Sequence, residues 1–290
     1  MTEDGFARAA ALLPERLCAA AEALPPEKRR TAEEFRLRRA RAPTVLCAGI
    51  ETPLGAQTVD ERTLRTVLER ASDASLHAAA ESLRRGYLTA RGGVRVGVCG
   101  EMSTADGGVC ALRAPSSLAI RIPRAVRGAA AEVLPQLGRG GALLLSPPGG
   151  GKTTLLRELI RLYSESGVRV GVADERGELG GMWNGELQFD LGKSTDVLSG
   201  APKAEAAMML LRGMNCEIIA MDEISLASDA AAVEQLAGCG VRVLASVHAA
   251  SPEDLARRAP LRELLSLGAF DRTVTIRAAA GRRSYRVDRL

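Results

Sequence analysis

A run of glycines followed by lysine and two threonines is the segment of the chain best suited to chemistry. Residues 146–154 read Ser-Pro-Pro-Gly-Gly-Gly-Lys-Thr-Thr. Glycines lack a Cβ, so backbone N–H groups can approach phosphate oxygens, and a helix that starts there adds partial positive charge. Lys152 can reach the β- and γ-phosphates of a nucleotide, and the Thr153 hydroxyl can bind Mg²⁺. The segment therefore predicts a P-loop, with Ser146 in the place where the usual pattern has glycine.

The flanking residues favour this interpretation over an incidental glycine turn. An apolar run at 142–145 precedes the loop and a helix-like run at 155–162 follows it, so strand, loop and helix occur in the order that a P-loop needs. The residues expected to bind ATP here are Ser146, Pro147, Pro148, Gly149, Gly150, Gly151, Lys152, Thr153 and Thr154.

A pair of carboxylates follows another apolar run. Residues 218–221 are Ile-Ile-Ala-Met, and Asp222 and Glu223 come next. Taken alone, the pair is more typical of a solvated strand end. Downstream of a P-loop it predicts a Walker B element, because parallel sheets bind ligands at the carboxyl edge of their strands. We expect Asp222 to hold Mg²⁺ together with Thr153, and Glu223 to orient the attacking water.

Two further strand ends carry polar residues. Asp174, Glu175 and Arg176 follow the apolar run 170–173. Either one of Asp174 and Glu175 helps to hold the metal shell or the water, or the pair forms a helix cap and a surface ion pair. Ser246 could sense the γ-phosphate. His248 is a candidate catalytic residue that couples hydrolysis to movement, whereas His77 lies in an alanine-rich helical stretch typical of packing. Phosphoryl transfer also needs positive charge; the candidate arginines are Arg95, Arg113, Arg121, Arg124, Arg176 and Arg212.

The elements that must position these residues fall into two regions. Residues 1–125 predict a small α+β domain, with helices at 14–24, 58–69 and 75–85, strands at 34–38, 44–47, 94–98 and 117–122, and a turn at 107–108. Residues 126–140 are expected to be a linker with a helical piece. Residues 141–290 predict an α/β RecA-like P-loop domain with a mainly parallel sheet, because strands at 168–173, 218–221, 241–246 and a last one at 272–276 alternate with helices.

Composition narrows the function classes. The 290 residues are 46% hydrophobic with a net charge of +4, which supports a packed core and permits only a mildly basic face. Aromatic residues make up 3%, so stacking platforms for single-stranded nucleic acid are poorly supported. The six cysteines form no Cys-x-x-Cys pair, which favours reduced thiols in the cytosol. No apolar run reaches the ~18 residues needed to span a bilayer, and no signal peptide is visible.

Several motifs together resemble a known family. The segments 86–97, 174–178, 196–198, 202–212 and 218–223 are similar to those of the stage III sporulation protein AA family, within the wider group of type II and type IV secretion ATPases. The resemblance implies a hexameric ATPase in the mother-cell cytoplasm that docks on a membrane channel complex facing the forespore. It also implies that Asp174 and Glu175 belong to an acidic box and His248 to a histidine box, and that Arg95 and Arg121 reach the nucleotide.

Three other functions remain open. A RecA-like nucleic-acid motor would need a basic, aromatic groove. An assembly module would bind ATP with little turnover, which intact Asp222 and Glu223 disfavour. A small-molecule kinase would need a lid and an acceptor pocket, for which no segment is evident. The expectation is an ATPase that uses ATP and Mg²⁺ and binds a membrane-anchored protein partner rather than nucleic acid.

Overall fold

A computed structural model describes residues 2–73, 80–105, 108–257, 261–266, 268–279 and 282–290. The chain divides into two compact units. The first contains Met1–Ala125 and Gly181–Gln188, and the second contains Val126–Gly180 and Phe189–Leu290. Residues 126–140, expected to be a linker, therefore group with the second unit, where they form turns and the short 3₁₀ helix Leu134–Gln136.

The first unit is an antiparallel sheet with helices. In chain order the elements are α1 (Thr2–Ala11), α2 (Glu15–Glu22), α3 (Pro26–Thr31), β1 (Ala32–Arg38), β2 (Thr44–Cys47), β3 (Ile50–Pro53), α4 (Glu61–Ala71), α5 (Ala80–Arg84), β4 (Tyr87–Ala90), β5 (Val94–Ala105) and β6 (Gly108–Arg121). The sheet has the order β3-β2-β1-β6-β5-β4, and every neighbouring pair runs antiparallel.

Local sequence explains how the first unit closes its core. Helix α4 begins after Asp60, whose side chain accepts the N–H of Thr63 at 2.7 Å, as an N-cap does. Its apolar face at Leu64, Val67 and Leu68 is buried in the same core as Phe35 on β1.

Two expected elements lie partly outside the described residues. These are the helix at 75–85, of which residues 75–79 with His77 are not described, and the turn at 107–108, of which Gly107 is not described.

A segment from the second half of the sequence joins the first unit. Trp183 and Glu186 pair through their backbones, and the Arg91 guanidinium lies 5.7 Å from the centre of the Trp183 ring. The Gln188 side chain accepts the N–H of Gly92 at 2.7 Å. These contacts are why residues 181–188 group with the first unit, although they are far from it in sequence.

The second unit is a mainly parallel sheet between helices. The elements are β7 (Ala142–Ser146), α6 (Lys152–Glu165), β8 (Val170–Asp174), β9 (Thr195–Ser199), α7 (Lys203–Gly213), β10 (Ile218–Met221), α8 (Ala227–Gly238), β11 (Arg242–His248), α9 (Pro252–Ala256), β12 (Arg272–Ala279) and β13 (Arg282–Arg289). The strand order is β13-β12-β7-β11-β10-β8-β9; β12 and β13 pair antiparallel and all the other pairs are parallel.

This topology gathers the polar strand ends. Strands β7, β8 and β10 are buried along their whole length, as expected for central strands covered on both faces. Because they run parallel, their carboxyl ends meet at one edge of the sheet, where ligands bind in such folds. The α/β fold class is confirmed. The sequence analysis missed β9 and β13, so the expectation that the strand at 272–276 is the last one was wrong.

Candidate nucleotide-binding site

The glycine loop adopts backbone angles that only glycine accepts readily. Gly149 has φ +74° and Gly151, which precedes α6, has φ +101°. A Cβ added at Gly150 would overlap the Ser146 hydroxyl. Pro147 and Pro148 are exposed at the top of the loop. The three glycines are therefore required by the path of the loop between β7 and α6.

Ser146 has a clear place in this geometry. It is the last residue of β7 and is fully buried, and its hydroxyl donates to the carbonyl oxygen of Pro147 at 2.8 Å. The side chain fills the space left by the bare Gly150. A serine is thus tolerated at the first loop position because the loop supplies both the room and a hydrogen-bond acceptor.

Lys152 is buried and folded onto its own loop. Its Nζ donates to the carbonyls of Ser146 at 2.8 Å and Pro147 at 3.2 Å, and it lies 2.8 Å from Nδ1 of His248. Burial lowers the pKa of Lys152, although the carboxylates of Asp222 and Glu223 oppose this effect. The structure therefore brings the loop lysine and the histidine at the end of β11 into direct contact.

A hydroxyl and a carboxylate form an oxygen pair next to the lysine. Thr153 Oγ1 donates to Asp222 Oδ2 at 2.8 Å, and the Ser246 hydroxyl donates to Asp222 Oδ1. Asp222 and Ser246 are buried, while Thr153 and Thr154 are partly buried. Mg²⁺ prefers hard oxygen ligands and commonly binds through one or two carboxylates together with substrate phosphates. The pair of Thr153 and Asp222 has this chemistry.

Glu223 follows in a strained conformation. Its φ is +53°, a conformation that costs a non-glycine residue about 1–3 kcal/mol and persists only where the surroundings hold it. The backbone N–H donates to Ser246 Oγ at 2.9 Å and Asp222 Oδ1 at 3.1 Å. The carboxylate pairs with Arg176 at 2.8 Å and with His248 Nε2 at 3.1 Å. The two neighbouring carboxylates therefore have different partners, hydroxyls for Asp222 and an arginine and a histidine for Glu223.

The contacts of His248 define its tautomer. A lysine ammonium only donates, so Nδ1 of His248 must accept from Lys152. The neutral ring then carries its proton on Nε2 and donates it to Glu223. Lysine, histidine and glutamate thus form one hydrogen-bonded chain, with Arg176 at its far end.

The second acidic pair splits into two different environments. Asp174 is buried and accepts the N–H groups of Leu179 at 3.1 Å and Gly180 at 2.8 Å; burial raises its pKa despite these bonds. Glu175 pairs with Lys203 at 3.0 Å. Burial alone would raise the pKa of Glu175, but the hydrogen bond and charge of Lys203 outweigh it and lower the pKa. Asp174 therefore shapes the loop after β8, and Glu175 faces a lysine.

Sequence reasoning missed Arg157, which braces the same region. This arginine lies on α6 one turn after Thr153, and its guanidinium donates to the carbonyls of Glu178 at 2.7 Å and Leu179 at 3.0 Å. It also stacks 3.8 Å from the ring centre of Phe189. Burial lowers its pKa to about 10, against the opposing charges of nearby carboxylates. The sequence did contain a signal for it: Arg157 comes four residues after Thr153, and residues with this spacing are neighbours on a helix surface.

The candidate arginines of the N-terminal half lie in the first unit. Arg95 on β5 and Arg121 on β6 are register partners, and the Arg95 guanidinium lies 4.2 Å from the centre of the Tyr87 ring. Both positions are thus on adjacent strands of the antiparallel sheet. Their assignment to nucleotide binding remains a prediction.

Fold and site together define a RecA-like P-loop protein. The X-ray structure of the Legionella pneumophila ATPase DotB is similar at 15% identity and a TM-score of 0.57, over 94% of this chain and 78% of that one. The pilus retraction motor PilT, solved with bound ADP, is similar at 17% identity and a TM-score of 0.60, over 89% and 79% of the two chains. The fold is therefore the one found in secretion and pilus ATPases.

The chain belongs to the family described as "Sporulation stage III, protein AA", whose model matches residues 17–285. Stage III sporulation protein AA of Bacillus subtilis (strain 168) is 38% identical over 281 residues, which cover 94% of this chain and 91% of that protein. The resemblance stated from the motifs is thus confirmed. None of the helices in the described part of the chain has the length and apolar composition of a membrane span.

Proposed function

We propose that the protein hydrolyses ATP with Mg²⁺ and acts as the motor of a secretion-type complex in sporulation. The observation that carries this proposal is the contact of 2.8 Å between Thr153 Oγ1 and Asp222 Oδ2, next to a buried loop lysine. It joins the first turn of the P-loop helix to the end of β10, which is the arrangement that holds Mg²⁺ in P-loop ATPases. The family membership supports the role in sporulation, and the fold supports the secretion-type motor.

The residues present fit the nucleotide and the metal. The positive φ of Gly149 and Gly151 suits the backbone concavities that bind phosphate, and the oxygen pair of Thr153 and Asp222 suits Mg²⁺. When bound, Mg²⁺ supplies charge neutralisation at the phosphate oxygens. Lys152 would exchange its carbonyl partners for the β- and γ-phosphates, with which its charge pairs more strongly.

Glu223 would act as the general base, and the hydrogen-bonded chain would connect it to the loop lysine. Its carboxylate would orient a water for attack on the γ-phosphate and accept its proton. His248 touches both the lysine and this carboxylate, so a shift of Lys152 toward phosphate changes the partner of Nδ1 and thereby the hold on Glu223. This contact supports a coupling role for His248. Glu175, paired with Lys203, would stabilise the acidic loop near the nucleotide.

The proposed assembly is a hexamer, as the family resemblance implies. The resemblance to secretion ATPases supports a hexamer with the nucleotide site at a subunit border, where Arg95 and Arg121 would supply positive charge to the nucleotide. The partner would be the membrane channel complex between mother cell and forespore, with the protein peripheral on the mother-cell side. Nucleic acid is not part of this proposal, because aromatic residues make up only 3% of the chain.

Phosphate release from ATP by the purified full chain tests the proposal. Turnover should require Mg²⁺ and should rise when light scattering shows ring formation in the presence of ATP. Adding the cytoplasmic part of a membrane partner should increase both ATP turnover and ring formation. Stimulation by single-stranded DNA alone would instead favour a nucleic-acid motor, and tight ATP binding without single-turnover hydrolysis would favour an assembly module.

A further inference from the structure

An arginine from the C-terminal hairpin lies against the glycine loop. Nε of Arg283 donates to the carbonyl oxygen of Gly150 at 3.2 Å. A Cβ on Gly151 would overlap the same guanidinium, so this close approach depends on the bare glycine. Arg283 lies 133 residues after Gly150 along the chain, so short sequence spacing does not relate it to the loop.

The strand pattern explains how Arg283 reaches this place. Strand β13 pairs antiparallel with β12, which in turn pairs parallel with β7, the strand that enters the loop. Arg283, Tyr285 and Val287 share one face of β13 because side chains alternate along a strand. Tyr285 and Val287 pack against the core that contains the apolar face of α6. The same face therefore directs Arg283 toward the start of α6.

The charge around Arg283 favours an anion. In the part of the chain that the structure describes, no carboxylate pairs with it, whereas Arg176 pairs with Glu223 and Arg286 with Asp288. Its side chain is exposed, and only one of the five guanidinium N–H groups is used by the bond to Gly150. A guanidinium beside a P-loop is well suited to bidentate binding of phosphate oxygens.

We propose that Arg283 is a nucleotide-binding residue that contacts the α- and β-phosphates bound by the P-loop of its own chain. The inference rests on the proposed nucleotide site. The α- and β-phosphates are specified because loop glycines hold these groups, while the lysine reaches the β- and γ-phosphates. The contact is present with ATP and with ADP, so it adds to affinity and not to the rate of the chemical step.

Titration of fluorescent ADP and ATP analogues with Mg²⁺ tests this role. Arg283→Gln should weaken both nucleotides about tenfold, the size expected for one charge-assisted hydrogen-bonding group. Arg283→Lys should fall between glutamine and arginine. In steady-state assays KM should rise by the same factor with kcat unchanged. Arg286→Gln is the matched control, since Arg286 lies on the opposite face of β13 and pairs with Asp288 at 2.9 Å.

The outcomes separate the two proposals. Wild-type affinity in a folded Arg283→Gln protein would overturn the role of Arg283 and leave the nucleotide site intact. A loss for ATP alone would overturn the assignment to the α- and β-phosphates. If the wild type itself binds neither nucleotide, the proposed function fails and this inference with it. Thermal melting of the nucleotide-free variants checks that they are folded. If Arg283→Gln is unfolded, Arg283→Lys replaces it as the test. Wild-type nucleotide affinity in Arg283→Lys would then overturn the inference.

Discussion

Arg176 binds the carboxylate of Glu223, with 2.8 Å between Nη1 and Oε2. The other carboxylate oxygen of Glu223 lies 3.1 Å from His248 Nε2. The glutamate that we expect to activate water is thus held from two sides, by a guanidinium and by an imidazole. The Glu223 carboxylate can turn toward a substrate water only after one of these two contacts breaks.

We expect Arg176→Gln to raise the basal rate of ATP hydrolysis by up to about fivefold, because removing a partly exposed ion pair of about 1 kcal/mol frees Glu223. Nucleotide affinity should not change. Phosphate release at saturating ATP measures the effect. Arg169→Gln is the control, since Arg169 forms an ion pair of 3.3 Å with Glu217 and not with a residue of the site. A fall in rate would show that Arg176 acts in the reacting state.

Glu223→Gln should keep ATP binding and lower turnover by about 10²–10⁴, because the amide cannot accept the proton of the attacking water. The variant retains the shape and the strained backbone of the site. Single-turnover hydrolysis and equilibrium binding are the measurements, with Glu234→Gln on an exposed face of α8 as the control. Turnover at the wild-type rate would remove Glu223 from its proposed role.

Lys152→Ala should weaken ATP and ADP by about 10–100-fold, because the phosphates lose a buried charge-assisted donor. Burial lowers the pKa of Lys152. Nucleotide affinity of the wild type should therefore decrease as pH rises toward the usual lysine value of 10.5, as the ammonium loses its proton. Lys193→Ala, at an exposed position, controls for net charge. Unchanged affinity in the alanine variant would contradict the P-loop assignment.

His248 should carry its proton on Nε2 in the nucleotide-free protein, because Nδ1 accepts from Lys152. Long-range ¹H–¹⁵N spectra of the imidazoles report the tautomer. The chain has only two histidines, so His77→Gln assigns the signals. Binding of ADP with Mg²⁺ should shift the His248 signals as Lys152 moves to phosphate; signals that stay in place would contradict the coupling role.

In the first unit, Glu51 should make stability depend on pH. Its carboxylate accepts both terminal nitrogens of Arg38, at 2.8 and 2.9 Å, and the Thr44 hydroxyl at 2.8 Å. The hydrogen bonds from Arg38, followed by Thr44, lower the pKa of Glu51 from 4.5 to about 2. A lowered folded-state pKa contributes stability above pH 4.5 that is lost as pH falls toward 2.

Glu51→Gln should therefore cost up to about 1 kcal/mol of unfolding free energy at neutral pH, a modest value because the pair is exposed. The difference from the wild type should shrink at about pH 3, because the carboxylate is then already protonated in the unfolded state and still mostly ionised in the folded state. Urea unfolding at both pH values measures it, with Glu69→Gln at an exposed position as the control. An equal difference at both values would contradict the pKa shift.

Much of the second unit was readable from local pattern. The apolar runs before Ser146, Asp174 and Asp222 predicted buried parallel strands, and the α/β fold class is confirmed. Strand β9 was missed because its residues are only partly buried and lie at an edge of the sheet, and β13 because its arginines break the apolar pattern. Residues 181–188 group with the first unit through contacts that local sequence does not encode.

The sequence by itself determined the P-loop, the acidic strand ends and the family, because these depend on residue type and short spacing. Only the tertiary structure decided which side chains meet. Strand order brought Lys152, His248 and Glu223 into one hydrogen-bonded chain and set Ser146 over the bare Gly150. It also laid Arg283 on the loop, since contacts between distant segments depend on how strands pair and not on the residues that flank each segment.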